Sequence, residues 1–265
     1  MKKIRVFSIL LLLISTTLFV AFLLYTKKVK DNHPPVVTCE TEELEVSVKD
    51  PASKLLEGVT AEDKRNGDVT DTLVIEDMSS FTNEGTRVIT YAAVDDSKNV
   101  GRCERELHYS DYEKPRFYMN QALCFPVGGT VKVFEVVGAE SSLDGDLSGN
   151  IKYTLRKMIN TMEEGTYPIE FRVMDSAGEM VYLDAEVEIL SRELSTIEVY
   201  LKEHLIYIKK DSSFDPKDYY EGASKEGNLT IKSKVDTKEP GTYYVDYIVK
   251  DNAVGGKSRM IVVVE

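Results

Sequence analysis

The side chains that could carry catalysis are few in this sequence. The 265 residues include three cysteines and three histidines: Cys39, Cys103, Cys124, His33, His108 and His204. None of the histidines stands in an H-E-x-x-H arrangement, and no serine lies in a G-x-S-x-G nucleophile elbow. We therefore predict no catalytic residue and no enzymatic activity.

Carboxylates are abundant and follow the expected turns. Eight aspartates lie in or beside such turns: Asp63, Asp68, Asp95, Asp96, Asp144, Asp146, Asp175 and Asp251. Clustered carboxylates are the ligands that Ca²⁺ prefers, but aspartate is also favoured in turns because its side chain bonds the nearby backbone. No segment has the spacing of a 12-residue EF-hand loop. The turn interpretation is preferred, so no metal-binding and no cofactor-binding residue is predicted, and calcium remains the alternative.

The charge balance excludes one class of partner. The chain has 45 acidic and 33 basic side chains, a formal net charge of −12. Nucleic-acid binding needs a basic surface that displaces condensed counterions. We predict no nucleic-acid partner.

Residues 1–30 differ from the rest of the chain. They contain six basic and no acidic side chains, and residues 6–25 form an uncharged run of 20 residues. A helix of that length spans about 30 Å, the thickness of a bilayer's hydrocarbon core. We predict a transmembrane signal-anchor over residues 6–25 within a 1–30 segment that also holds a short cytoplasmic stub. A cleaved signal peptide is the alternative, although residues 23–28 are bulky or charged where a small-x-small cleavage site is expected.

The remainder of the chain consists of three copies of one sequence unit. Gly85, Gly165 and Gly241 are each followed by Thr, and each has an Asp ten residues further on. Between them, apolar residues alternate with a period of two, which is typical of a strand with one buried face. Turn-forming residues and a second strand-like run follow, so each copy ends in a β-hairpin. We predict units at 31–110, 111–191 and 192–265.

No unit shows a convincing amphipathic helix, and each holds about seven short strands. This pattern predicts an all-β fold of three tandem immunoglobulin-like antiparallel β-sandwiches after the N-terminal transmembrane helix. Strands of 8–10 residues are about 30 Å long, so three sandwiches placed end to end would project about 100 Å.

A family resemblance is carried by the motifs of these units. The run 57–63, the Gly-Asp-Val-Thr at 67–70 and the three Gly-Thr hairpins resemble the Ig-like repeats first catalogued in bacterial pesticidal crystal proteins. The first unit also resembles the hyalin repeat, through 34–39 at its start and 99–103 at its end. The resemblance implies an extracellular, non-catalytic sandwich on the bacterial cell surface.

The resemblance also implies a pairing of two cysteines. Cys39 lies in the opening strand of the first unit and Cys103 in its closing strand, and these strands are neighbours in such sandwiches. A disulfide between them would place the unit outside the cytoplasm, with the bulk of the chain extracellular. Two small buried hydrophobic residues are the alternative. Cys124 is left as a buried thiol or an interchain bridge.

Two functions remain open. In the first, the membrane-anchored array serves adhesion by binding a protein or a cell-wall or host glycan. The third unit is then the expected tip, with Tyr207, Tyr219 and Tyr220 as either an aromatic platform or half-buried strand residues. In the second, the chain is a passive spacer without a ligand, or is secreted after cleavage. Exposed apolar patches confined to one unit would favour binding.

Overall fold

The computed structural model describes residues 2–29 and 31–265, with side chains described for 7–25 and 31–265. The chain divides into two compact units, residues 1–110 and 111–265. After one N-terminal helix, the regular structure of the described chain consists mainly of β-strands in paired sheets. The predicted all-β fold of tandem immunoglobulin-like sandwiches after an apolar helix is confirmed.

The N-terminal helix, α1 (Lys2–Val29), carries the apolar run. Its segment Phe7–Tyr25 has 19 residues, a mean hydropathy of 2.6 and no buried part. Such a helix is long and apolar enough to cross a bilayer, and a signal sequence shares this property. The predicted span begins one residue earlier, at Val6, whose side chain lies outside the described residues.

The first sandwich occupies the rest of the first unit. Its strands are β1 (Val36–Cys39), β2 (Glu43–Val46), β3 (Val59–Asp63), β4 (Gly67–Asp68), β5 (Val74–Met78), β6 (Thr86–Val94) and β7 (Val100–Tyr109). They form one sheet in the order β1-β3-β4 and a second in the order β2-β7-β6-β5. Short 3₁₀ helices lie at Ala52–Leu56 and Thr70–Thr72. Alternate residues such as Ile89, Tyr91 and Leu107 are fully buried, as the period-two pattern predicts.

The second sandwich opens the second unit. Its elements are β8 (Arg116–Met119), β9 (Cys124–Pro126), α2 (Val133–Val136), β10 (Val137–Ser141), β11 (Gly145–Asp146), β12 (Lys152–Leu155), β13 (Gly165–Met174) and β14 (Met180–Leu190). A 3₁₀ helix lies at Ser148–Asn150. The two sheets have the orders β11-β10-β8 and β12-β13-β14-β9.

The third sandwich completes the chain. Its strands are β15 (Val199–Leu201), β16 (Leu205–Ile208), β17 (Tyr220–Ala223), β18 (Asn228–Ser233), β19 (Gly241–Asp251) and β20 (Val254–Val264). They form sheets in the orders β15-β17 and β16-β20-β19-β18, and a 3₁₀ helix lies at Pro216–Tyr219. The order of the four-stranded sheet thus recurs in all three copies, with an antiparallel hairpin (β6–β7, β13–β14, β19–β20) at its centre, whereas the smaller sheet has two strands in the third copy and three in the others.

One buried aromatic ring stands six residues after the repeated glycine in each hairpin. Tyr91, Phe171 and Tyr247 are fully buried there. The two tyrosines also use their hydroxyl groups, since Tyr91 donates to the carbonyl of Leu55 and Tyr247 to that of Pro216. Each bond ties the hairpin to a 3₁₀ helix of the same sandwich, because a buried hydroxyl needs a partner.

The apolar core of the second sandwich extends onto one face of the third. Leu205 and Ile261 of the third sandwich are buried in the same cluster as Phe117 and Phe171 of the second, and Tyr207 packs against that cluster. These residues lie on the outer face of the third sandwich's larger sheet, opposite its own core of Val245, Tyr247 and Met260. This pair is therefore packed through a sheet face, which differs from the predicted end-to-end arrangement.

Candidate functional site

Most of the aspartates singled out in the sequence serve their own turns. Asp68 accepts a hydrogen bond from the amide of Thr70, and Asp146 accepts one from the amide of Ser148. Asp175 likewise accepts from the amides of Ala177 and Glu179 in its own turn. The other three contact a second segment: Asp96 accepts from Asn66, Asp144 from the Ser176 amide, and Asp251 pairs with Lys225. The turn interpretation therefore describes Asp68, Asp146 and Asp175.

Asp63 and Asp95 also accept hydrogen bonds from the amides of their own turns, but both are buried in a further group. Together with Asp31, which the sequence analysis missed, they form a buried group whose carboxylate oxygens lie within 4.8 Å of one another. One signal for Asp31 was available, since it stands five residues before β1, as Asp111 stands five residues before β8. We call Asp31, Asp63 and Asp95 the acidic cluster.

Cys39 and Cys103 are joined by a disulfide in the structure. Cys39 ends β1 and Cys103 lies in β7, so the bond connects the two sheets of the first sandwich. Their Cα atoms are 6.7 Å apart, within the range that a disulfide spans. The bond therefore fixes the distance between the two sheets at this point.

Cys124 is free and poorly suited to act as a nucleophile. It lies partly buried at the edge of the second sandwich, with its Sγ 3.9 Å from the Glu188 carboxylate. Burial, and then the negative charge of Glu188, raise the pKa of the thiol to about 12. Since the thiolate is the reactive form, this cysteine is unreactive at neutral pH.

The three histidines have local contacts. His33 is bonded to Asp31 next to the acidic cluster, and the Nδ1 of His108 is 3.0 Å from the hydroxyl of Thr86. His204 is partly buried, and burial lowers the pKa of its ring. It borders a cleft of about 600 Å³ between the second and third sandwiches, together with Tyr200 and Cys124.

An ionic network lies between these same two sandwiches. Arg259 donates to Asp246 at 2.6 Å and to Glu186 at 2.8 Å, and its guanidinium is 3.4 Å from Glu188. Lys257 binds Glu188 at 2.6 Å and Asp246 at 3.1 Å. The Lys257 and Arg259 side chains are only 8% and 12% exposed, so these pairs are largely removed from water. The five charges fix how the third sandwich sits on the second.

The tyrosines proposed as a platform are half-buried instead. The ring of Tyr220 stacks on Tyr247, and Tyr219 packs against Phe214 in the third sandwich. The hydroxyl of Tyr207 accepts a hydrogen bond from the Phe117 amide at 3.2 Å. Tyr207 and Tyr220 are therefore half-buried strand aromatics, whereas Tyr219 is half-buried at the end of a 3₁₀ helix.

Exposed large apolar side chains concentrate in the second sandwich. Among residues 31–265, the first sandwich exposes valines and the third exposes Tyr200 and Leu229. The second exposes Tyr118, Phe134, Tyr153, Met158, Met162, Met174, Met180 and Tyr182. A concentration of this kind in one domain is typical of a binding surface.

Three of these residues form one patch on the β13–β14 hairpin. Met174 pairs with Met180 across the hairpin, and Tyr182 pairs with Arg172, so all four side chains point away from the core. The Tyr182 hydroxyl donates to the Met180 sulfur. Lys152 pairs with Arg172 on the next strand and adds a second basic side chain. We call these five residues the Met174–Tyr182 surface.

This surface borders an open groove of about 560 Å³. The groove is lined by Met174, Met180, Arg172 and Lys152 and by the end of the 3₁₀ helix at 149–150. It therefore combines two methionines with two basic side chains in a chain with a strong acidic excess. The sequence analysis missed the patch, although the outward phase of the alternation holds Met174, Met180 and Tyr182 where polar residues are expected.

The fold defines the chain as an all-β protein of tandem immunoglobulin- or cadherin-like sandwiches behind an apolar helix. No protein-family model and no curated protein matches the sequence. Drosophila N-cadherin domains EC1-3 match with 12% identity and a TM-score of 0.32, over 85% of this chain and 98% of that chain.

Two further solved structures are similar at a lower level. The protocadherin γB4 extracellular domain has 8% identity and a TM-score of 0.22, over 88% of this chain and 50% of that chain. A structure of CBM51-2 in complex with GlcNAc and INT domains from Clostridium perfringens ZmpB has 11% identity and a TM-score of 0.24, over 87% and 42%. This chain spans half the length of the protocadherin γB4 chain it matches. Similarity of this extent assigns no function.

Proposed function

We propose that this chain is a membrane-anchored, non-catalytic binding protein of the cell surface, and that it binds a protein or glycan ligand through the Met174–Tyr182 surface. Residues 6–25 would anchor it and the sandwiches would lie outside the cell. The resemblance of the repeats to bacterial Ig-like domains supports the same placement.

The concentration of exposed apolar side chains in the second sandwich carries the binding part of the proposal. A passive spacer has no need of an exposed Met-Met-Tyr patch, because such a patch is a cost in solubility unless a partner covers it. Tyrosine and methionine are also typical of recognition surfaces, where Tyr supplies rigid contact area and Met adapts to its partner. These features support the second sandwich, rather than the third, as the proposed binding domain.

The non-catalytic and extracellular parts rest on the cysteines. The raised pKa of Cys124 argues against thiol catalysis. The disulfide between Cys39 and Cys103 is the kind of bond that forms and persists outside the cytoplasm. The acidic excess of the chain suits an exposed, soluble outer portion.

Replacing Met180 and Tyr182 by serine should remove binding. Cells that display the full chain would be tested for adhesion to surfaces coated with purified glycans, cell-wall fragments or extracellular proteins. Hot-spot truncations cost about 2 kcal/mol or more each, so we expect M180S/Y182S to weaken adhesion to the bound ligand at least tenfold. Both side chains are exposed, at 41% and 59%, so the fold should be kept.

The matched control is Y200S/L229S in the third sandwich. Tyr200 and Leu229 have similar exposure, 43% and 38%, and we expect adhesion to stay at the wild-type level. Equal adhesion by both variants would contradict the proposal. Loss of adhesion in the control alone would place the ligand in the cleft that Tyr200 borders, and adhesion to no surface by the wild type would favour the spacer.

A further inference from the structure

The acidic cluster gathers three segments at one end of the first sandwich. Asp31 precedes β1, Asp63 is the last residue of β3, and Asp95 directly follows β6. All three side chains are buried, and their carboxylate oxygens lie within 4.8 Å of one another. The antiparallel pairing of β1 with β3, which joins Val36 to Glu62, brings the first two segments together.

The charges of this cluster do not balance. Like charges at this separation repel strongly when they are removed from water, and each buried carboxylate also loses hydration. His33 pairs with Asp31, but the histidine side chain is 81% exposed, and Arg65 adds one attractive charge toward Asp31. The cluster keeps a negative excess that a cation would neutralise.

Hydrogen bonding also leaves the cluster incomplete. The Oδ1 atom of Asp63 accepts from the amides of Arg65 and Asn66, each at 2.8 Å. The Oδ2 atom of Asp63 is buried without a hydrogen-bond partner, although the residue is only 2% exposed. The Oδ1 atom of Asn66 is likewise buried and unpaired. Orphaned oxygens are rare in folded proteins, and here one belongs to the acidic cluster and the other to Asn66, whose amide binds that cluster.

The second sandwich shows the same loops without this arrangement. Ser141 ends β10 as Asp63 ends β3, and its hydroxyl accepts from the amides of Leu143 and Asp144. Asp175, the counterpart of Asp95, accepts a hydrogen bond from the Tyr112 hydroxyl at 2.7 Å. The turns therefore form with a serine in place of Asp63 and with a tyrosine hydroxyl bonded to the counterpart of Asp95, so the hairpin does not require the acidic cluster.

The geometry points to a Ca²⁺ site formed by Asp31, Asp63 and Asp95, with Asn66 as a further oxygen ligand. Calcium accepts six to eight oxygen ligands in irregular geometry, whereas Mg²⁺ demands a near-ideal octahedron and gives up its water reluctantly. Carboxylates from three separate segments suit the larger ion. The bound ion ties the segment that follows α1 to the ends of β3 and β6, and so stiffens the start of the first sandwich.

Titration of the full chain with calcium tests the site. The protein would be purified in dodecyl maltoside, stripped with EDTA, and titrated with CaCl₂ and separately with MgCl₂ by isothermal titration calorimetry. The wild type should bind one Ca²⁺ with a Kd of about 0.1–1 mM, the range of extracellular modules, and should bind Mg²⁺ more weakly. Calcium should also raise the thermal midpoint of the first sandwich.

Asp95→Asn and Asp175→Asn form a matched pair of variants, since each removes one charge from the same turn of a different sandwich. We expect D95N to weaken Ca²⁺ binding at least tenfold and to lose the calcium-dependent thermal shift, and D175N to match the wild type in both. D63S, which copies the serine of the second sandwich, should fold and behave like D95N. Absence of saturable Ca²⁺ binding by the wild type, or equal binding by D95N and D175N, would overturn the site.

Discussion

Removal of the Cys39–Cys103 disulfide should lower the free energy of unfolding of the first sandwich by about 4 kcal/mol. The bond closes a loop with a sequence separation of 64 residues, and a cross-link over such a loop removes that amount of chain entropy from the unfolded state. A sandwich of this size has a total stability of the same order. We therefore expect the first sandwich of C39S/C103S to be largely unfolded at room temperature. In a urea titration followed by circular dichroism, its transition should lie at little or no urea.

Cys124→Ser is the control for this variant. It removes the one cysteine outside the disulfide, and that cysteine lies in the second sandwich rather than the first. The first sandwich should unfold in C124S as in the wild type. Equal denaturation midpoints in C124S and C39S/C103S would contradict the assigned bond.

Arg259→Ala should destabilise the second unit by about 3 kcal/mol. The alanine leaves Asp246, Glu186 and Glu188 without their shared guanidinium at a largely buried interface, and breaking a buried ion pair from one side is costly. Tyrosine fluorescence in a urea titration would measure the loss, since the chain contains no tryptophan. Lys250→Ala, which breaks the exposed Lys250–Glu193 pair, should change the midpoint little.

The loss in R259A should depend on pH. Burial acts to raise the pKa of Asp246, but the charges and hydrogen bonds of Arg259 and Lys257 outweigh it and hold the pKa below the ordinary value of 3.8. A carboxylate whose pKa is lower in the folded state stabilises the fold above its unfolded pKa and loses that contribution as the pH falls. The difference between wild type and R259A should be constant near neutral pH and shrink below about pH 4. A constant difference down to about pH 2 would show that the ion pair is not its source.

The sandwich repeats were readable from the sequence because they depend on local signals. Gly85, Gly165 and Gly241 precede a period-two strand and a turn, and each of them stands at the head of a central hairpin. A strand pattern of this kind reports which face of a strand is buried, and the buried Tyr91 and Tyr247 follow it.

The packing of the third sandwich on the second could not be predicted from the alternation pattern. Alternation assigns Lys257 and Arg259 to the outer face of their strand, where charged residues indicate solvent exposure. Nothing in one sequence shows that Glu186 and Glu188 of another sandwich cover that face. For the same reason Tyr207 could be taken either as a platform residue or as a packed one.

Two of the three residues of the acidic cluster were singled out from the sequence. Asp63 and Asp95 were predicted to serve turns, and residue type alone does not distinguish that role from cation binding. Asp31 stands 32 residues before Asp63 in sequence, and only the pairing of β1 with β3 brings the two together. The Met174–Tyr182 surface was missed because single outward-facing apolar residues are common on strands. These residues form a patch only because the hairpin pairing brings them side by side.

The intact mass of the chain isolated from cell membranes tests whether residues 6–25 remain as an anchor and whether the sandwiches lie outside the cell. The preparation would be unfolded in guanidinium chloride and alkylated without reduction, so that every free thiol is labelled, and then weighed and sequenced from its N-terminus. We expect a chain that retains residues 6–25 and carries one alkyl group, on Cys124, with Cys39 and Cys103 still joined. A chain that begins beyond residue 25 and is found in the medium, or one that carries three alkyl groups, would contradict an anchored protein whose sandwiches lie outside the cell.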